Sequence, residues 1–212
     1  MYKKQLKLQK ILCLIAVIVA AVLFLYALGI MTDLYDALYP TLSITWTKNA
    51  ETGGYKMNVS EQEFSGKTVA GAKVYTDMQS FNQLLVILSI VYILLAVLLF
   101  VTNTNIRRRY YIGNYVSVGL FAAASIAIPL YAHGQIESFR AKWQAVDFKA
   151  LKEYSDTFKS AYTESTLWFD LHYAVFALMF IAAALLVACT VWKVNLMKEE
   201  AKLVAQGRGA NA

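Results

Sequence analysis

Two histidines and two carboxylates, His133, Glu137, Asp170 and His172, are the side chains best suited to chemistry, and the chain has no other histidine. Imidazoles with carboxylates can hold a metal or relay a proton. No H-x-x-x-H pair is present, so the sequence assigns these residues no metal site and reads them as polar anchors at the ends of apolar segments. Other carboxylates, such as Asp33 with Asp36 and Glu61 with Glu63, have no base beside them. The stretch NTNIRRRYYIGNY (103–115) sets Arg107, Arg108 and Arg109 among tyrosines, a pattern that can grip the phosphates of nucleic acid or of lipid. G-x-S-x-G, H-E-x-x-H, P-loop and C-x-x-C motifs are absent, and Cys13 and Cys189 both sit in apolar runs. The expectation is a protein that is not an enzyme, with no cofactor and no metal.

What positions these residues is a set of long apolar segments. The 212-residue chain is 58% hydrophobic and 16% charged, with a mean hydropathy of +0.47. A soluble domain carries roughly 25% charged residues, so the composition points to a bilayer. Four runs, 11–31, 84–101, 112–132 and 171–192, contain no Asp, Glu, Lys or Arg. Each is near the roughly 20 residues that cross a hydrocarbon core. The first is longer than the 7–15 apolar residues of a signal peptide, so it reads as a retained anchor. The predicted fold is a membrane all-α bundle of four transmembrane helices.

Charge fixes the expected orientation. Segments 1–10, 102–111 and 193–212 hold eleven basic residues against two acids, Glu199 and Glu200, while 32–83 and 133–170 hold nine basic and twelve acidic. The positive-inside rule puts both termini and the arginine turn in the cytoplasm of a multi-pass plasma-membrane protein. The net charge of +6 is then topological, and nucleic acid is excluded as a partner. Asn103 and Asn105 suit a tight turn; the three arginines would meet lipid headgroups or a cytosolic partner.

The two outer loops are expected to form a cap. In the first, the leading helix continues to Pro40, and 41–64 reads as a β-hairpin turning at 49–54, with a further strand as one reading of 60–81. Asn58 begins a glycosylation sequon. In the second, Ile136, Phe139, Trp143, Val146, Ala150, Tyr154, Phe158 and Ala161 follow steps of three and four, which predicts amphipathic helices broken near Asp147. Gly119, Ala123 and Ala127 recur at fours and are expected to pack the third span against its neighbours, the alternative being a homo-oligomeric seam. The second span is expected to face lipid or a partner. Tyr131, Trp168, Phe169 and Tyr173 fit an aromatic belt.

The spans hold no Asp, Glu, Lys or Arg, which argues against a pump. Claudin-like and tetraspanin loops would bring cysteines that these loops lack. The expected function is therefore a non-enzymatic accessory or scaffold subunit of a transporter or secretion complex. It would bind lipids and other membrane or envelope proteins, with Trp46, Phe64, Phe139, Trp143 and Phe158 as interface anchors or as the cap's own core. The alternatives are a small transporter or channel component and, more weakly, an envelope sensor.

Overall fold

The computed structural model describes residues 2–38, 42–48, 55–61, 74–104, 112–149 and 164–209. Its elements in chain order are α1 (Tyr2–Leu38), β1 (Leu42–Lys48), β2 (Tyr55–Glu61), α2 (Val74–Asn103), α3 (Gly113–Gln144) and α4 (Leu167–Gly209). All four helices are long and apolar enough to cross a membrane, and the chain is a multi-pass integral membrane protein. In hydrocarbon every backbone N–H and C=O must pair internally, and a helix does this within one segment.

Every helix outruns the apolar run that seeds it. α1 spans 37 residues, roughly 55 Å at 1.5 Å per residue, and continues through Asp33 to Leu38 just before Pro40. α2 begins at Val74, so the end of the 60–81 stretch is helical rather than a strand, and Asp77 lies in its first turn, where a carboxylate favours the helix dipole. Residues 62–73 lie outside the described set. α3 passes without a break from the third apolar run to Gln144, with Pro129 inside it. It ends in a turn at Ala145 and Val146, and helical backbone resumes at Phe148 after Asp147.

The chain forms two compact units. The first comprises 1–24, 88–130 and 173–212; the second comprises 25–87 and 131–172.

In the first unit several uncharged polar side chains of the helices point inward and many of the large aliphatic ones point outward. Gln5, Gln9, Tyr92, Asn103, Asn114, Ser117 and Ser125 are buried, whereas Ile18, Leu94, Leu120 and Leu185 are exposed. This is the arrangement lipid favours, because aliphatic groups lose nothing on the outside while polar groups find partners only inside. Tyr92 stacks on Phe121 at 4.8 Å between centroids, and its hydroxyl lies 2.7 Å from Ser125 Oγ. Only 28% of the most apolar window of α2 is buried, against 39–44% for the other three helices.

The small-residue stripe of α3 does not pack against the chain's own helices, the first of the two readings given to it. Gly119, Ala123 and Ala127 are all exposed, and a Cβ built on Gly119 meets nothing within 4 Å. The inward face of α3 is instead Asn114, Ser117, Val118, Phe121, Ser125 and Ile128. The hydroxyls and amide need protein partners and Phe121 needs Tyr92, so these residues orient the helix and the small residues are left outside.

The second unit has an aromatic core. Phe81 lies 5.8 Å from Phe139, and Trp143 lies 5.2 Å from Phe148 and 5.9 Å from Phe169. Phe139 (7% exposed) and Trp143 (2%) are therefore core residues and do not present a surface to a partner. Ile136 and Val146 are buried with them, so the part of the amphipathic stripe before Ala150 packs inward. Phe169 is fully buried rather than part of a belt, while Tyr131 remains exposed, as does Tyr173 of the first unit. Trp168 lies against Gly29 so closely that a Cβ there would overlap its ring. β1 and β2 pair antiparallel, Ile44 opposite Val59 and Trp46 opposite Met57.

Candidate functional site

Among the described residues, buried polar side chains gather in both units. In the first, an amide chain links all four helices. Gln5 Nε2 donates to Gln9 Oε1 at 2.7 Å and reaches the Cys189 carbonyl and Sγ at 3.5 Å. Gln9 Nε2 donates to Asn103 Oδ1 at 2.7 Å. Asn103 Nδ2 in turn lies 2.8 Å from Ser117 Oγ and 3.3 Å from the Asn114 carbonyl, and Ser117 Oγ is 2.8 Å from Thr102 Oγ1. Asn103 is thus the last residue of α2 and the hub of the chain rather than a turn residue. Lys193 is buried nearby in the same unit, its ammonium 5.4 Å from the centre of the Tyr115 ring. Both cysteines are free and buried.

The hydroxyls divide between two modes. Thr190 donates to the Leu186 carbonyl one turn back at 2.8 Å, satisfying itself along its helix. Ser125 does the same to Phe121 at 2.8 Å while also meeting Tyr92 on another helix.

In the second unit, His133 and Glu137 lie one turn apart on α3, and His172 lies near the start of α4. That start is set locally: Ser165 Oγ accepts from the Leu167 N–H at 3.2 Å, and Asp170 occupies the first turn. His172 is fully buried. Its Nδ1 bonds the Phe169 carbonyl, which makes Nδ1 the protonated nitrogen and leaves Nε2 as an acceptor. His133 Nδ1 lies 2.9 Å from that Nε2 and must be the donor. Glu137 turns Oε1 toward His172 Nε2 at 3.9 Å and Oε2 toward Arg140 Nη1 at 3.5 Å. Arg140 Nη2 pairs with Asp170 Oδ1 at 2.8 Å, and Thr166 Oγ1 donates to Asp170 Oδ2 at 2.6 Å. The ligating atoms of His133, Glu137 and His172 all lie within 4.8 Å of one another, so these three residues could hold a metal ion.

The H-x-x-x-H criterion misses this cluster because the one-turn pair is mixed, H-x-x-x-E, and the second histidine arrives from another helix. Of the other residues the sequence selects, Trp46 lies in β1, while Phe64, Phe158 and Arg107, Arg108 and Arg109 lie outside the described residues. Comparison with protein-family models, curated proteins and solved structures finds no match to this chain.

Proposed function

We propose that this multi-pass protein is a non-enzymatic membrane subunit that assembles with partner membrane proteins, both termini lying in the cytoplasm. The orientation rests on the charge asymmetry between the two sets of segments. The observation that carries the assembly reading is the end of α4. Among the residues of that helix whose burial is described, Leu196 is the last buried one, and residues 198–207 are all exposed although helical. Val194, Met197, Ala201 and Val204 follow steps of three, four and three and line one shallow groove with Lys198 and Glu200. That spacing is the seam of a helix pair. Short helical segments without packing are marginal in water, so a helix carried this far beyond its own core suits a helical partner. The paired strands and the extended end of α3 would form the outer cap.

The test is extraction in mild detergent, isolation of the tagged protein and mass spectrometry of what accompanies it. Stable stoichiometric membrane partners, lost when Val204→Glu places a charge in the seam, are the expected result. A protein recovered alone as a monomer refutes the proposal.

A second reading, a subunit of a small transporter or channel, draws on the buried amide chain of the first unit, which could line a polar path. It requires solute flux in liposomes containing the purified protein alone, where the subunit reading requires none.

A further inference from the structure

We propose that His133, Glu137 and His172 form a binding site for a divalent first-row transition metal, with Zn²⁺ the best fit, that ties α3 to α4. The proposal is independent of the partner reading above.

Three features carry it. The donor set is two imidazoles and one carboxylate, a combination that holds Zn²⁺ with a fourth position left for water or another ligand. Oxygen-preferring ions such as Mg²⁺ and Ca²⁺ gain little from imidazole. The separations also suit the ion. Zinc–nitrogen bonds of about 2.0–2.1 Å in a tetrahedron put neighbouring donors about 3.3 Å apart. Two of the three separations are 2.9 Å for the imidazole pair and 3.9 Å from His172 Nε2 to Glu137 Oε1, on either side of that value, and the third, between His133 and Glu137, is within 4.8 Å. Small rotations of His133 and Glu137, the less buried members, close the difference.

The third feature is the support around the donors. The Phe169 carbonyl fixes the ring of His172 and directs its Nε2 lone pair at the cluster, as the outer nitrogen of a metal-bound histidine is commonly fixed. Arg140 holds Glu137 through Oε2, leaving Oε1 on the side of the histidines. The charge of Arg140 would oppose a cation, but Asp170 pairs with it at 2.8 Å, so Glu137 and Asp170 together outnumber it.

Binding needs one internal rearrangement. The proton of His133 moves from Nδ1 to Nε2, the hydrogen bond between the imidazoles is given up, and both freed lone pairs point at the metal. No oxidation, reduction or net proton release accompanies the step. His133 is exposed and Glu137 half-buried, so the ion has a route from solvent, while His172 forms the buried floor.

The experiment uses the full chain without a histidine tag, purified in detergent and stripped with EDTA. Titration with ZnCl₂ is followed by calorimetry, and CoCl₂ by visible absorption. The expected results are one saturable site per chain, displacement of Co²⁺ by Zn²⁺, and intense Co²⁺ bands of a four-coordinate ion. His133→Asn and Glu137→Gln change partly exposed residues; each should weaken binding by more than the roughly 10–100-fold that loss of a merely supporting partner costs. Thermal unfolding without metal confirms that these variants fold, which guards against the case where His172→Ala does not. Absence of saturable Zn²⁺ binding overturns the proposal. So does affinity unchanged in both folded variants, or equal competition by MgCl₂.

Discussion

The bond between Gln9 and Asn103 is the most direct measure of what the amide chain contributes. Asn103→Leu preserves approximate side-chain size and removes two short interhelical contacts, with Gln9 Nε2 at 2.7 Å and Ser117 Oγ at 2.8 Å. Interhelical hydrogen bonds in membranes average about 0.6 kcal/mol, with a maximum of about 1.7, so the two bonds together contribute about 1.2 kcal/mol. The substitution also strands the Gln9 amide, which is 3% exposed, and an unsatisfied buried group costs about 1–3 kcal/mol. The expected destabilisation is therefore about 2–4 kcal/mol. Gln9→Leu removes the partner and disturbs Gln5, which donates to Gln9 Oε1 at 2.7 Å. In Gln9→Leu with Asn103→Leu the stranded amide is gone, so the double variant should cost less than the two single ones added together. The difference is a coupling of about 2–4 kcal/mol, the bond together with the relieved stranding. The assay is reversible unfolding by SDS titration in mixed micelles, read by circular dichroism. Additivity within about 0.3 kcal/mol, the usual limit for independent sites, refutes the bond.

Two further outcomes follow from side-chain packing. Gly29→Ala should destabilise by about 1–3 kcal/mol, since the added methyl group overlaps the Trp168 ring, whereas Gly119→Ala meets open space and should be neutral or slightly stabilising; the same SDS titration compares them. Tyr92→Phe keeps the stack on Phe121 at 4.8 Å and loses the 2.7 Å bond to Ser125, so it should cost only about 0.6 kcal/mol in that assay.

How far these features were legible in the sequence depended on the physical signal behind each. The four spans were plain because hydropathy over some 20 residues reports directly on transfer into hydrocarbon. Which face of each span turns inward was not, because apolar residues surround these helices on all sides and leave no hydrophobic stripe to read. The small residues of α3 seemed the natural packing face, but the rule that decides is polar satisfaction, visible only once Ser117 has Thr102 and Asn103 as partners. Gln5 and Gln9 escaped notice, and Asn103 was read as a turn residue, because all three stand just outside the apolar runs. Phe139 and Trp143 carried the right signal, a helical stripe, which could mean surface anchor or local core; their burial at 7% and 2% decides for the core. The histidine cluster was half legible. All its members were identifiable by type and level, but their meeting depends on α3 remaining helical past Ala132 and on the start of α4.

The amide chain also has a consequence for biogenesis. Its members enter the membrane in the order in which they are synthesised: Gln5 and Gln9 with α1, Asn103 with α2, Ser117 with α3 and Cys189 with α4. Each new span finds a polar partner already waiting on an earlier one. A nascent chain halted after α2 would still show Asn103 to lipid on the side later taken by Ser117, a defect that membrane quality control could detect. Completion of the chain would thus mark a fully inserted molecule.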